Sequence, residues 1–370
     1  MRIICLVVVF FALFSVPSAS AEVPPKIAFI GPLSGHDGHE GLAAKQAFLL
    51  AIKQVSDETG KEIVPVVMDD FADPDQAREA ALTVASDSSV MAVVAHYHSV
   101  CAFATMDVFS SAKLPVIMWA AAHPGISEKG DPYIFQMVPI LDDMVLSLGR
   151  LMFDRGLRSI ALIGERSAYG RRFLSVMAPY LREIGVDVPL VIETSPMLPS
   201  YDHLADRVAD VAPDGVAYGG FTHEGAMIKM ALDRKGLSLT YGVDSSVGEE
   251  LFCRYAGPAA EGTLGVLPLS PIYLPGGTDF LKGLYGLFPD AVPANYTALA
   301  YDAATVVAWS TYRGQSRGRE GVREEISRYS GRGLTGLIGF DYLGRAVARP
   351  IGAFVVKGGR WLPLRGDRDG

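Results

Sequence analysis

Short runs of apolar residues alternate along this chain with longer stretches in which apolar residues recur at helical spacing. Residues 27–30 form the first short run, and residues 41–55 place their apolar side chains on one helix face. Pro74 stands in the first turn of a later predicted helix. Because strands and helices alternate, the pattern predicts parallel sheets covered by helices on both faces. The predicted strands of this first series are 27–30, 63–68, 90–95, 116–119 and 133–138.

The pattern starts again at residue 158, where a second apolar run is followed by a small-residue turn and a helix predicted over residues 167–184. Further strands are predicted at 189–193, 215–218 and 239–243. Two similar series indicate two related α/β lobes, each a doubly wound, Rossmann-like sheet. Since ligands of open α/β sheets bind beyond the carboxyl ends of the strands, we expect the binding cleft between the lobes.

The first 21 residues have the features of a cleavable export signal. Arg2 precedes an apolar run at residues 3–14, and small residues lead to Ala21. The apolar run is too short to span a bilayer. We therefore expect residues 1–21 to be a signal peptide and the mature protein to be periplasmic.

Composition adds limits on size and partners. About 350 residues follow the signal, which is more than one hydrophobic core usually serves. The formal net charge of −8 argues against a nucleic-acid partner. Basic residues collect at 313–332, a segment that we interpret as a solvated helix face. Cys101 and Cys253 are expected to be buried or partly buried free thiols.

Six short motifs follow one another in a recognisable order. They are Ile30-Gly31-Pro32-Leu33-Ser34-Gly35, Asp69-Asp70-Phe71-Ala72-Asp73-Pro74, Ala95-His96-Tyr97-His98-Ser99, Ala120-Ala121-Ala122-His123-Pro124, Tyr169-Gly170 and Tyr218-Gly219-Gly220. In this order they resemble motifs of the branched-chain amino acid-binding family, which are periplasmic solute-binding proteins of ATP-driven importers. The resemblance runs from about residue 26 to residue 357.

The resemblance implies the type I periplasmic binding protein fold, with two lobes joined by a three-crossover hinge. Crossings are expected near residues 138–141, 267–271 and 337–341. A hinge of this kind lets a ligand draw the lobes together. The expected segments are 22–139 plus 268–338 for the first lobe, 140–267 plus 339–363 for the second, and 364–370 for a tail.

The resemblance also implies a set of ligand-binding residues. They are Ser99, Ala120, Ala122, Tyr169, Phe221 and Asp244. Ser99 at a helix start, with the backbone of residues 120–122, would hold a carboxylate. Asp244 would hold an ammonium group, and Tyr169 and Phe221 would close over the ligand. The alternatives are that Ser99 only caps a helix, that Asp244 is a solvated turn residue, and that both aromatic residues are ordinary packing.

Several positions depart from the family pattern. Ala122 stands where the family usually has a hydroxyl residue, and Met118-Trp119 replaces a Ser-Pro pair. Ala72 and His98 occupy the positions of the family's first-lobe disulfide. These changes weaken the implied preference for leucine, isoleucine or valine.

Most histidines are expected at or just beyond strand ends, near the cleft. These are His36, His39, His96, His98, His123 and His223, whereas His203 lies in a predicted helix. They suggest three hypotheses: a transition-metal site, direct contact of His98 or His123 with the ligand, or support of the turns. Since no tight metal-ligand spacing is present, we predict no metal and no cofactor.

The sequence favours a function without catalysis. It has no Gly-x-Ser-x-Gly elbow for a nucleophilic serine, and the glycine-flanked segment 31–35 lacks a Walker lysine. We predict a monomeric binding protein that closes on a small polar solute, an amino acid or related compound, and delivers it to a membrane permease. The alternative is a ligand-sensing receptor or regulator of the same fold, with a metal-containing or non-amino-acid ligand.

Overall fold

The structure is a computed structural model that describes residues 23–35, 37–244, 250–347 and 351–364. The predicted signal peptide, His36 and the predicted tail after Leu364 lie outside the described residues. Strands and helices alternate through most of the described chain, as the hydrophobic pattern predicts.

The described helices and strands follow in one order along the chain. They are β1 (Lys26–Gly31), α1 (Gly38–Thr59), β2 (Val64–Asp69), α2 (Pro74–Ser86), β3 (Val90–Val94), α3 (Ser99–Ser111), β4 (Val116–Met118), β5 (Ile134–Gln136), α4 (Leu141–Asp154), β6 (Ile160–Glu165), α5 (Ala168–Glu183), β7 (Val191–Thr194), α6 (Asp202–Val211), β8 (Gly215–Gly219), α7 (Thr222–Arg234), β9 (Thr240–Val243), α8 (Glu250–Ala256), β10 (Leu264–Pro268), α9 (Gly277–Leu287), α10 (Thr297–Gly314), α11 (Gly318–Ser327), β11 (Gly331–Gly333), β12 (Gly336–Ile338), β13 (Ile351–Lys357) and β14 (Arg360–Pro363).

The first sheet has five strands in the order β2-β1-β3-β4-β5, and all of its pairs are parallel. Its strands are nearly continuous apolar runs because helices cover both faces. On one face, Phe29 of β1 and Phe48 of α1 pack with residues of α10 and α11. The other face packs against α2 and α3.

The second sheet has seven strands in the order β14-β13-β10-β9-β8-β6-β7. Strands β6 to β10 are parallel, as predicted, but β13 pairs antiparallel with β10, and β14 pairs antiparallel with β13. The sheet is therefore mostly parallel rather than wholly parallel. The antiparallel edge arises because the chain returns to this sheet through β13 and then turns back at once.

The chain passes between the two sheets more than once. Strand β5 belongs to the first sheet, and α4 packs on the second. After β10, helices α10 and α11 pack against the first sheet, and β13 returns to the second. This path agrees with three expected crossings, and the exact lobe boundaries stay a prediction.

Local caps set where the helices near the strand ends begin. Asp73 accepts hydrogen bonds from the N–H groups of Asp75 and Gln76, both at 2.9 Å, and Pro74 occupies the first helical position of α2. Ser167 accepts a hydrogen bond from the N–H of Gly170 at 3.1 Å and caps α5. These caps stop each strand-to-helix turn at a defined residue.

The segment 313–332 is not only a solvated face. The guanidinium group of Arg319 is partly buried and donates to the carbonyls of Ala85, Asp87, Val90 and Ala112 at 2.7–3.1 Å. Three of these carbonyls, those of Ala85, Asp87 and Ala112, lie at the C-terminal ends of α2 and α3, where carbonyl groups lack helical partners. Our interpretation of this segment was therefore wrong at Arg319, which ties α11 to the first sheet.

Both described cysteines are buried, as expected. Burial, together with the charges of Asp70 and Asp73, raises the pKa of the Cys101 thiol to about 12. A thiol with so high a pKa forms almost no thiolate at neutral pH. Cys101 therefore acts as a packing residue of α3.

Candidate functional site

The turn after β3 places Ser99 at the first position of α3. The Ser99 Oγ accepts a hydrogen bond from the backbone N–H of His123 at 3.2 Å. This bond joins the turns that follow β3 and β4. Because Oγ acts here as an acceptor, its hydroxyl hydrogen can be donated to another group, next to a helix N-terminus that favours negative charge.

The turn after β4 contains three alanines whose backbone groups are mostly in use. The N–H groups of Ala120 and Ala121 both donate to the His96 carbonyl, at 3.3 and 3.1 Å. The Ala122 carbonyl accepts from the N–H of Leu141 at 2.9 Å. Within the described residues, this leaves the N–H of Ala122 and the carbonyl of Ala120 without a hydrogen-bond partner. The turn can therefore offer one donor and one acceptor.

His123 follows these alanines and lies near an ion pair from the second sheet's side. Its Nδ1 accepts a hydrogen bond from the N–H of Gly125 at 3.0 Å. Burial and then the charge of Arg172 lower the pKa of the imidazole. The ring is therefore neutral at pH 7, and its proton is on Nε2, which makes Nε2 a hydrogen-bond donor. Arg172 of α5 is held by Asp142 of α4, with Nε 2.8 Å from Oδ1.

The His98 side chain contacts residues at the strand ends of the first sheet. Its Nε2 lies 2.9 Å from Oδ2 of Asp37, and both side chains are largely buried. The Tyr97 ring packs edge-on against the His98 ring at 4.8 Å. His98 therefore connects the segment after β1 to the start of α3.

His223 lies in the first turn of α7, just beyond the end of β8, as expected. His39 lies in the first turn of α1 rather than in a loop after β1. Helix α1 begins at Gly38, before the predicted stretch 41–55, because its first turn is polar. Within the described residues, no three His, Cys, Asp or Glu side chains are arranged to hold a metal ion.

Tyr169 and Phe221 follow β6 and β8 and meet side by side. Their ring centroids are 6.2 Å apart with an interplanar angle of 24°. Phe221 is 44% exposed, whereas Tyr169 is partly buried against the second sheet's core. The exposed ring faces form an aromatic surface at the carboxyl end of the second sheet.

Asp244 comes directly after β9 and is fully buried. Burial, and after it the negative charge of Asp244, raises the pKa of Tyr241 well above its usual value. Asp244 is thus not a solvated turn residue. Residues 245–249, which follow it, lie outside the described part of the chain.

Ala122 lies where the two halves of the molecule meet. It packs against the hydrophobic core of the first sheet and also against the core of the second sheet, to which Tyr169 belongs. The turns after β3 and β4, joined by the bond between Ser99 and His123, thus lie next to the second sheet's core at Ala122.

The sequence reasoning missed two groups at these strand ends. The first is an aromatic cluster in which Tyr97, Trp119 and Tyr296 pack at centroid distances of 5.5–6.4 Å. Tyr296 precedes α10, far away in sequence, so no local pattern could find it. The second is a pair of buried carboxyl groups, Glu165 and Glu224, near Phe221. Its signal was a glutamate that ends an apolar strand.

No helix in the described residues is both long and apolar enough to cross a membrane. A family model described as periplasmic binding protein matches residues 24–359. A leucine-, isoleucine-, valine-, threonine- and alanine-binding protein of Pseudomonas aeruginosa is 24% identical over 324 residues, which cover 86% of each chain.

Solved structures share the fold. A leucine binding protein from Thermotoga maritima superposes with a TM-score of 0.81 at 20% identity, covering 92% of this chain and 97% of that one. A solute binding protein from R. palustris, solved with benzoate, has a TM-score of 0.79 at 17% identity and covers 92% and 96% of the two chains. Proteins of this fold have thus been solved with unlike ligands.

Proposed function

Because this chain belongs to the periplasmic binding protein family, in its type I, branched-chain amino acid-binding branch, we propose that it binds one small carboxylate-bearing solute and delivers it to a permease. The family assignment confirms the resemblance of the six sequence motifs. An amino acid is the first candidate solute. The protein would act as the solute-binding component of an ATP-driven importer.

One observation carries this proposal: Ala122, in the turn after β4 of the first sheet, packs against the hydrophobic cores of both sheets. The Leu141 N–H, at the start of the second sheet's first helix, bonds to the Ala122 carbonyl. Strand ends of this kind are where open α/β sheets bind ligands. A solute held between them would contact both sheets and stabilise a closed form.

The first sheet's side supplies groups suited to a carboxylate. The Ser99 hydroxyl, the Ala122 N–H and the neutral Nε2–H of His123 are all donors, and α3 begins at Ser99. Donors at a helix N-terminus stabilise an anion without a full positive charge. We assign the carboxylate to this side.

The second sheet's side supplies apolar surface and one buried acid. Tyr169 and Phe221 would cover the body of the solute, and Asp244 would pair with an ammonium group if the solute has one. The Ala120 carbonyl is a further acceptor for that group. His98 is bound to Asp37, so we assign it to the turn rather than to the solute.

Because Ala122 lacks the hydroxyl that the family usually has, carboxylates other than amino acids are also candidate solutes. The Pseudomonas relative is named for five amino acids, and a structural neighbour was solved with benzoate. Both kinds of ligand share a carboxylate and differ in the ammonium group. Asp244 therefore favours the amino acid, and its removal would favour the simple acid.

We also propose a location, an oligomeric state and a non-catalytic role for the protein. The resemblance to periplasmic proteins and the export-signal pattern support a periplasmic location. We propose that the protein works as a monomer, and that the site binds and releases the solute unchanged.

A thermal-shift screen on protein stripped of bound solute tests the function. The screen compares amino acids, aromatic acids such as benzoate, and small aliphatic acids, each with and without divalent metals. A true ligand at about 100 times its dissociation constant adds roughly 2.7 kcal/mol of stability. A response to amines without a carboxylate, and to no carboxylate, would contradict the proposal.

A further inference from the structure

A group of buried polar atoms lies under the aromatic surface of the second sheet. Glu165 ends β6 and is only 3% exposed. Thr194 is its partner in the parallel register of β7. Tyr218 pairs with Ile163, two residues before Glu165, so its side chain points to the same face of the sheet. These three side chains therefore converge at the carboxyl end of the sheet.

Three atoms of this group lack hydrogen-bond partners within the described residues. They are Glu165 Oε2, Thr194 Oγ1 and Tyr218 Oη. A buried polar atom without a partner is unfavourable, and native proteins keep few of them. An explanation for this group is therefore needed.

A second carboxyl group, that of Glu224, is buried near Glu165. Glu224, in the first turn of α7, is 6% exposed, and its Oε1 accepts a hydrogen bond from the Met197 N–H at 3.2 Å. Burial and then the charge of Glu224 raise the pKa of Glu165 to about 7. Within the described chain, neither carboxyl forms an ion pair with a lysine or arginine.

The other titratable groups around Glu165 do not supply a compensating charge. Tyr218 of β8 and Tyr201 before α6 are neutral phenols with raised pKa values, chiefly because they are buried. His223 of α7 is half exposed, and its Nδ1 lies 3.9 Å from Glu224 Oε1. A proton on Glu165 would remove the like-charge repulsion between the two carboxyl groups.

The backbone at or next to both aromatic residues, Phe221 and Tyr169, contacts Glu165. The backbone N–H of Phe221 interacts with the Glu165 carboxyl. Gly170, next to Tyr169, lies so close that a Cβ there would be 2.1 Å from the Glu165 carbonyl oxygen. A Cβ at Gly220 would be 2.0 Å from Tyr218 Oη, so this phenol lies against the residue before Phe221.

We propose that Glu165 is a positioning residue whose protonated carboxyl holds Phe221 and Tyr169 in the orientation that closes over the solute. A protonated Glu165 donates to a neighbouring oxygen of this buried group and still accepts the Phe221 N–H. When Glu165 is charged, its repulsion with the nearby Glu224 displaces the backbone at Phe221. Since closure buries this region further, solute binding favours the protonated form, and affinity falls as pH rises.

This inference rests on the proposed function only for its affinity measurement. The first arm needs no ligand: amide hydrogen exchange of the Phe221 segment is followed between about pH 6 and pH 8, corrected for the intrinsic rate. Wild-type protection should fall with pH by about fivefold or more. In Glu165→Gln, which carries a neutral side chain at every pH, protection should stay constant. Glu193→Gln, an exposed change on β7, is the matched control and should behave as wild type.

The second arm measures affinity for L-leucine by calorimetry over the same pH range. Wild type should bind about fivefold more weakly at the upper pH, and Glu165→Gln should show no such slope. If leucine does not bind at any pH, the amino acid assignment fails while the exchange arm still decides the role of Glu165. Equal pH slopes of exchange in wild type and Glu165→Gln would overturn the proposal.

Discussion

The Nδ1 atom of His96 lies 2.9 Å from Oδ2 of Asp70, and both side chains are completely buried. The His96 Nε2 lies 3.1 Å from Oγ1 of Thr105 in α3. His96 thus connects the turn after β2 to the helix that begins at Ser99. The buried pair of His96 and Asp70 therefore supports the helix that begins at Ser99.

Removing the imidazole should destabilise the protein strongly. His96→Ala leaves Asp70 Oδ2 buried without its hydrogen-bond partner, and leaving a buried acceptor unsatisfied in this way costs about 1–3 kcal/mol. Urea unfolding measures the change. The control is Asp57→Ala, which breaks an exposed pair with Lys53 and should change stability by less than about 1 kcal/mol. Similar losses in both variants would contradict this role of His96.

Arg319→Ala should lower the free energy of unfolding more than replacement of the exposed Arg317 in the same basic segment. Arg319→Ala leaves four carbonyl groups without their donor, and a hydrogen bond to a charged group contributes about 1.5–3 kcal/mol. We expect a loss of at least about 2 kcal/mol in the free energy of unfolding. Arg317→Ala removes only exposed pairs with Glu324 and Glu325 and should cost less than about 1 kcal/mol. A loss as small as that control would show that the segment is solvated after all.

Asp302 should make stability depend on pH. It is buried in α10, accepts hydrogen bonds from Leu334 and Thr335, and burial raises its pKa to about 6. A carboxyl whose pKa is higher in the folded state stabilises fully below its unfolded pKa of about 4, and the contribution is lost as pH rises through 6.

The measurement for Asp302 is the difference in unfolding free energy between wild type and Asp302→Asn. This difference should shift against wild type by up to about 3 kcal/mol between about pH 4 and pH 7. Using a difference cancels the titration of the other carboxyl groups. A constant difference would show that Asp302 keeps an ordinary pKa in the folded protein.

Ser99 should contribute to solute affinity. Ser99→Ala removes a hydroxyl donor to a carboxylate, and we expect about tenfold weaker binding of the compound that responds best in the thermal screen. Ser175→Ala removes a hydroxyl that bonds only to the Arg172 carbonyl of its own helix. This control should bind as wild type does. Unchanged affinity in Ser99→Ala would remove Ser99 from the site.

Ala122 offers a gain-of-affinity test. Ala122→Ser restores a hydroxyl where the family usually has one, and it should strengthen amino acid binding by about fivefold to tenfold through one more hydrogen bond. Calorimetry with leucine and with benzoate gives the comparison. If neither compound binds more tightly, residue 122 does not face the carboxylate.

The strands were predictable because each is a short apolar run that must be buried. Strand β1 extends one residue beyond the predicted run at each end, and β8 extends one residue beyond it at its end. The turn residues Ser99 and Tyr169 come after β3 and β6, whose apolar runs the sequence also shows. The start of α1 was placed too late, at residue 41 instead of Gly38, because a polar first turn leaves no apolar signal.

Contacts between distant segments could not be read from the chain. The docking of Arg319 onto carbonyls more than 200 residues away depends on how α11 meets the first sheet. The packing of Tyr296 on Tyr97 and the facing of Glu165 and Glu224 depend on tertiary structure in the same way. Propensity and periodicity describe single elements, and these contacts join several.

The antiparallel return of β13 has a consequence for biogenesis. Strand β10 gains its partner only when Val355 reaches Leu264, about ninety residues later in the chain. Until then the edge of β10 is unpaired, and such edges invite association with other chains. All strands of the first sheet lie before residue 137, whereas β13 and β14 of the second sheet lie within residues 351–363. The second sheet is therefore completed after the strands of the first have been made, and the edge of β10 stays open to other chains until β13 arrives.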